Sequence, residues 1–124
     1  MLHIILYQPE IPPNTGNIIR LCANTGASLH LVGPLGFQLD NTRLKRAGLD
    51  YAEMARVYEY LDWPAFRSQH PDMRIWAFST RAQKAYDSAE YRQDDGLLFG
   101  PETRGLPASL LSETGQDFCL RLPM

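Results

Sequence analysis

Lysine is scarce in this chain: 2 residues against 10 arginines. The 12 basic side chains face 14 acidic ones, for a formal net charge of -2. A globally basic surface is therefore excluded, and any nucleic-acid binding must run through a local patch. The arginine bias favours planar, bidentate recognition of phosphate or carboxylate. Long apolar runs are absent too. The longest, near Ile4–Tyr7, is far too short to span a membrane, so no membrane partner is expected. The start, Met1-Leu2-His3-Ile4-Ile5-Leu6, lacks the basic opening and small-residue cleavage site of a secretory signal. Of cysteine there are only Cys22 and Cys119, both in apolar surroundings, and two free thiols in a cytoplasmic protein are expected rather than one disulfide. His3, His30 and His70 are dispersed, with no H-E-x-x-H and no C-x-x-C, so no metal site is expected. Glycine-rich dinucleotide and triphosphate loops and the G-x-S-x-G elbow of serine hydrolases are missing as well.

What the chain does contain is a globular mixture, 44% hydrophobic and 21% charged over 124 residues, which suits one domain spanning 1–124. Short apolar runs alternate with helix-like stretches. Leu2–Tyr7 reads as a strand buried on both faces. Asn14–Thr25 reads as a helix capped by Asn14, with an apolar stripe of Ile18, Ile19, Cys22 and Ala23 and a stop at Gly26. Further strands are expected over Leu29–Val32, Arg56–Tyr60, Arg74–Ser79, Gly96–Phe99 and Phe118–Leu122. Helices are expected from Asp40 to Ala47, from Asp62 to about His70, and over Pro107–Ser112. This alternation predicts an α/β fold with a mainly parallel sheet and helices on both faces. Such sheets bind ligands at the carboxyl ends of their strands, where strand order switches. The sixth strand runs into Pro123-Met124 with no helix to cover it, so the sequence is expected to be part of a longer chain.

Two stretches carry chemistry. The first, from Pro9 through Arg20, joins a buried strand to a helix. Asn17, Arg20 and Asn24, spaced i, i+3 and i+7, share one helix face, which taken alone could be simply solvated. The second, Leu97-Leu98-Phe99-Gly100-Pro101-Glu102-Thr103-Arg104-Gly105-Leu106-Pro107, runs from a strand into a glycine-bounded loop. Gly100 and Gly105 permit positive φ or a close backbone approach to a ligand, and Glu102 and Arg104 add opposite charges. Two basic clusters complete the inventory: Arg43, Lys45 and Arg46, and Arg81 with Lys84 just after Phe78-Ser79-Thr80. Either cluster alone is more often a solvated face than a binding patch.

Together the two long motifs resemble the SPOUT RNA 2'-O-methyltransferases. The closer likeness is to the small single-domain subfamily acting on the ribose of the tRNA wobble nucleotide. Arg20-Leu21-Cys22-Ala23-Asn24-Thr25-Gly26, Arg46-Ala47-Gly48-Leu49-Asp50-Tyr51 and Gly100 through Ser109 are similar to that subfamily's sequence. The resemblance covers essentially the whole chain. It implies a SPOUT-type trefoil knot, a homodimer, and S-adenosyl-L-methionine held in a bent form by the knot loops. Position by position, it implies cofactor contacts at Phe78, Gly100, Glu102 and Leu122, and a role for Arg20 in activating the attacking hydroxyl. Asn17, Arg43, Arg46 and Arg81 are the candidate contacts to the anticodon stem-loop of tRNA. The family's third motif, a Ser-Leu-Asn-Leu-Ser-like segment that threads the knot and closes the cofactor pocket, is expected beyond Met124.

The implied reaction is an in-line displacement by a ribose 2'-hydroxyl on the methyl carbon. Arginine stays protonated in proteins, so Arg20 is expected to position ribose or phosphate and to stabilise developing charge rather than to accept a proton. An RNA phosphate or water could take that proton. Two other readings stand beside this one: a non-catalytic RNA-binding or assembly module on the same fold, and a generic flavodoxin-like nucleotide-binding domain. Binding of labelled cofactor separates the first from the enzyme.

Overall fold

The computed structural model describes residues 2–35, 57–79, 82 and 84–121. The expected helix over 40–47 lies outside the described residues, as do Arg43, Arg46, Arg81 and Leu122. The elements in chain order are β1 (His3–Tyr7), α1 (Pro12–Thr25), β2 (Ser28–Val32), β3 (Val57–Tyr60), α2 (Trp63–Gln69), β4 (Ile75–Phe78), β5 (Lys84–Ala85), β6 (Gly96–Phe99), α3 (Ala108–Thr114) and β7 (Cys119–Arg121). Short 3-10 turns sit at Tyr86–Ser88 and Gln116–Phe118. The strands form one sheet in the order β3-β2-β1-β6-β4-β7-β5. Every pairing in it is parallel.

The two-residue alternation of each strand divides its side chains between the sheet faces. On one face, Ile5, Val32, Tyr60, Ile75, Ala77 and Leu98 pack with Phe66 of α2 and Leu110 of α3. On the other, Leu6, Leu29 and Leu31 pack under Ile19 and Cys22 of α1. Further along that second face, Trp76, Phe78 and Leu120 form a third cluster with Leu97, Phe99 and Phe118. Of β1, only Ile5 and Leu6 are buried, whereas all of β2 and β4 is. Among the described residues the sheet holds one strand more than expected, because β5 is only two residues long and leaves no period to read in the sequence.

Helix α1 begins two residues earlier than its sequence suggests. Its N-cap is Ile11, not Asn14, and no side chain caps it. The physical reason lies in Pro12 and Pro13, which have no N–H to satisfy. The next two donors, Asn14 N and Thr15 N, both reach Ile11 O, at 3.1 and 3.2 Å. The first turn thus has no orphan donor for a cap to take. The buried stripe of α1 also differs from expectation: Thr15, Gly16, Ile19 and Cys22 face inward, Ile18 is half-buried, and Ala23 is exposed. Gly26 ends the helix as expected, at φ 80 with its N–H on Cys22 O. In α2 the sequence signals hold, since the Asp62 carboxylate accepts the Ala65 N–H at 2.9 Å.

Both cysteines are free, Cys22 buried and Cys119 half-buried, and burial pushes both thiols up. None of the described helices is long and apolar enough to cross a membrane. Among the described residues no cluster of histidine, cysteine and carboxylate side chains could hold a metal ion.

Candidate active site

The chain lays β1, β2 and β3 outward in one direction and places β6, β4, β7 and β5 on the opposite side of β1. Strand order therefore switches between β1 and β6. Their carboxyl ends lie side by side, with Leu6 in register with Phe99. The first long motif begins just after β1 stops, and the second runs out of β6 into the loop beyond it. The loop 8–11 leaves β1 for α1, and the loop 100–107 leaves β6 for α3. An open parallel sheet offers its ligand crevice at such a point.

The two loops are tied together by a reciprocal exchange. Glu102 Oε2 accepts the backbone N–H groups of Glu10 at 2.8 Å and of Ile11 at 3.0 Å. In return, Glu10 Oε1 accepts the Thr103 hydroxyl at 2.6 Å and the Thr103 N–H at 3.1 Å. Arg104 adds an ion pair, Nε to Glu10 Oε2 at 3.6 Å, and donates from Nη2 to Gln8 Oε1 at 3.3 Å. The Thr103 hydroxyl and N–H hold the Glu10 carboxyl below the usual carboxylate range against the opposing effect of desolvation, with a lesser contribution from Arg104.

Glycine 100 serves this loop in a way its sequence does not announce. A Cβ there would stand 2.4 Å from Leu106 N and 2.5 Å from Gly105 C. The loop's own returning backbone thus demands glycine here, a requirement separate from the close ligand approach expected of Gly100. The loop turns back through Arg104 N and Gly105 N, which both bond to Pro101 O, at 3.3 and 2.9 Å. Gly105 itself needs glycine for conformation, with φ at 69 and open space where a Cβ would lie.

Phe78 closes β4 one strand away. Its ring is buried and stacks on Phe99, with centroids 4.8 Å apart and planes 6° from parallel. The carboxyl ends of β4 and β6 thus carry a stacked aromatic pair beside a loop whose residues 102–105 are exposed. Arg20 is half-buried on α1, with Asn17 exposed one turn before it and Asn24 exposed one turn after it. The structure brings Phe78, Gly100 and Glu102 to one end of the sheet. Glu10, Thr103 and Gln8 were missed by sequence reasoning. The available signal was a carboxylate in the first motif and an arginine in the second, opposite charges whose meeting depends on β1 pairing with β6.

A sequence model of the SpoU rRNA Methylase family matches residues 1–124. This chain belongs to that family. A tRNA (cytidine(34)-2'-O)-methyltransferase of Saccharophagus degradans is 53% identical over 124 residues, which is 100% of this chain and 80% of that protein. A solved structure from Bacillus anthracis has a TM-score of 0.90 at 44% identity, covering 100% of this chain and 79% of that one. Another, described as giving structural insights into the 2-OH methylation of C/U34 on tRNA, has a TM-score of 0.88 at 45% identity and covers 100% and 80%. As a member of the SpoU family, the chain carries both motif loops of the SPOUT resemblance, and they meet at the switch point.

The methyl donor that such a family implies is S-adenosyl-L-methionine, and the residues present fit it. A planar base needs an apolar surface, and the half-buried Phe99, stacked on the buried Phe78, is the aromatic group at the end of β6 that could supply one. The polar edges of a nucleoside need main-chain donors and acceptors near a gap in the side-chain cover, and the open flank of Gly105 leaves one.

Proposed function

We propose that this chain is the catalytic domain of a tRNA 2'-O-methyltransferase that modifies the ribose of the wobble nucleotide, position 34, using S-adenosyl-L-methionine. The observation that carries the reading is the locking of the two motif loops at the switch point, in a chain 53% identical along its full length to a tRNA (cytidine(34)-2'-O)-methyltransferase. The cofactor, when bound, supplies an activated methyl carbon with a neutral thioether as leaving group. The protein's own part is orientation and charge stabilisation. Phe78, Gly100 and Leu122 line the cofactor's side, with Glu102 holding the loop between them. Arg20 faces the RNA and stabilises negative charge as the 2'-hydroxyl loses its proton. Asn17, Arg43, Arg46 and Arg81 contact the anticodon stem-loop, the local patch that a net charge of -2 requires. A homodimer, a trefoil knot and action in the cytoplasm complete the proposal.

The test is methyl transfer to a synthetic anticodon stem-loop, read by mass spectrometry of nuclease fragments. One added methyl on nucleotide 34, and none on a stem-loop carrying a 2'-deoxyribose at that position, is the expected result. Tight stem-loop binding without transfer would assign the chain to the non-catalytic class of RNA-binding modules.

A further inference from the structure

We propose that Glu10 and Glu102 are paired positioning residues that join the loop ahead of α1 and the loop after β6 into one unit, so that Arg20 and the glycine loop keep a fixed mutual geometry. The inference rests on the methyl-transfer reading above and adds how its two halves are registered. Each carboxylate serves the other's loop. Glu102 takes the two N–H groups that precede Pro12, and Glu10 takes the hydroxyl and N–H of Thr103. The exchange spans more than ninety residues of sequence, 92 between Glu10 and Glu102 and 93 between Glu10 and Thr103.

The local sequence explains why the exchange matters. Pro12 and Pro13 leave the start of α1 without donors of its own, so the last main-chain N–H groups before the helix are those of Glu10 and Ile11. Both point to Glu102, which places a negative charge at the positive end of a 14-residue helix dipole. That helix carries Arg20. On the other side, Thr103 and Arg104 lie in the turn between Gly100 and Gly105, whose shape main-chain bonds to Pro101 alone would hold loosely. Glu10 fixes that turn from outside, and Arg104 extends the link through Gln8, whose Nε2 donates to Tyr7 Oη at 3.2 Å at the end of β1. Bonds from carboxylates to backbone N–H are charge-assisted and directional, which suits them to register two loops. Catalysis by orientation is sensitive to such registration, since a displacement of about 1 Å can cost on the order of 10²-fold in rate.

The variants Glu10→Ala, Glu102→Ala and the double replacement test this, with Glu10→Gln as the conservative control. Amide hydrogen exchange on the ligand-free protein comes first. Either single variant should speed exchange in both loops, 9–15 and 101–106, because each carboxylate holds the far side. Rates on the stem-loop should fall on the order of ten- to a hundredfold in kcat while the melting temperature moves little. The double variant should be little worse than the poorer single one, because breaking either half releases the same unit. Glu10→Gln keeps an acceptor oxygen for Thr103 and should recover most of the loss. If Glu102→Ala instead raises only the KM for S-adenosyl-L-methionine and leaves exchange over 9–15 unchanged, Glu102 is a cofactor ligand and the proposal falls. Wild-type exchange and turnover in Glu10→Ala would overturn it equally. Should the wild-type chain fail to methylate tRNA, the functional reading fails, and the exchange experiment still judges the coupling.

Discussion

Single residues at the switch point divide into those that shape the loops and those that meet the substrate, and the two kinds should fail differently. Gly100 belongs to the first. Any side chain there collides with the backbone of Gly105 and Leu106, and Leu106 is buried in the core under α3. Gly100→Val should therefore destabilise the domain by about 1–3 kcal/mol or more, the range of overpacking strain, and lower the melting temperature along with any ligand affinity. Loss of ligand affinity at an unchanged melting temperature would favour the ligand-approach explanation. Under the proposed function Arg20 belongs to the second kind. It is half-buried at the margin of the inward stripe, so Arg20→Ala should move the melting curve modestly and leave binding of S-adenosylhomocysteine near wild type. Methyl transfer should fall by ~10²–10³, the usual consequence of removing one stabiliser of developing charge. Turnover near wild type in that variant would remove Arg20 from the mechanism. The two residues were equally visible as motif positions. What separated them was backbone proximity, which no spacing in the sequence encodes.

At the scale of elements, period and punctuation made most of the framework legible. Asp62 with Pro64 and Gly26 mark helix ends that the structure reproduces, and the strands over 29–32, 57–60, 75–78 and 96–99 follow from apolar runs. The misses have physical causes. Asn14 resembles a cap by residue type, but a pair of prolines removes the donors a cap would serve. β5 exists through its pairing with β7 alone. The support for the β4–β6 junction was illegible for the same reason. Asp95 lies just before β6, is buried, and accepts from Arg74 Nε at 3.1 Å, from the Trp76 indole at 2.8 Å and from Arg92 N at 2.8 Å. Burial pushes its carboxyl up, but the Arg92 N–H, the Trp76 indole and the Arg74 guanidinium outweigh that and hold it below the usual range. Asp95→Ala strips three donors of their partner and should cost about 3–5 kcal/mol, the range for breaking a buried ion pair. Chemical denaturation monitored by tryptophan fluorescence would measure it. A loss under about 1 kcal/mol would mean that water replaces the carboxylate at little cost.

The whole molecule adds what neither residue nor element shows, because strand order brings together side chains that the sequence disperses. A mainly parallel α/β sheet was readable from the alternation of strands and helices, but the order β3-β2-β1-β6-β4-β7-β5 was not. All three histidines of the chain meet through that order. His3 Nδ1 is hydrogen-bonded to His30 Nε2 at 2.9 Å, His30 Nδ1 to Tyr60 Oη at 2.9 Å, and Tyr60 Oη to His70 Nε2 at 3.0 Å. With each ring neutral, the three bonds use one proton each and can run in either direction along the chain. Burial lowers all three histidines. For His30, with His3 and His70 beside it, the fall is to about 3, while Asp94 opposes the effect at His3 and Arg67 adds to it at His70. A histidine whose folded pKa lies below its ordinary value contributes stability that is complete above about 6.5 and is lost as pH falls toward the folded value. For the buried His30 the limiting slope is about 1.4 kcal/mol per pH unit between those limits. Asp95 acts in a lower window, because its depressed carboxyl gives up stability only as pH falls below 3.8. Unfolding free energies should therefore decline steadily from pH 6.5 to about 4.5, above the range in which the depressed carboxyls of Glu10 and Asp95 contribute. His30→Gln should be less stable at neutral pH, where it loses packing against Phe66 and a bond to Tyr60, yet show a flatter acid limb, by close to one proton. An acid limb of wild-type slope in that variant would place the titration elsewhere and reduce the histidine chain to packing alone.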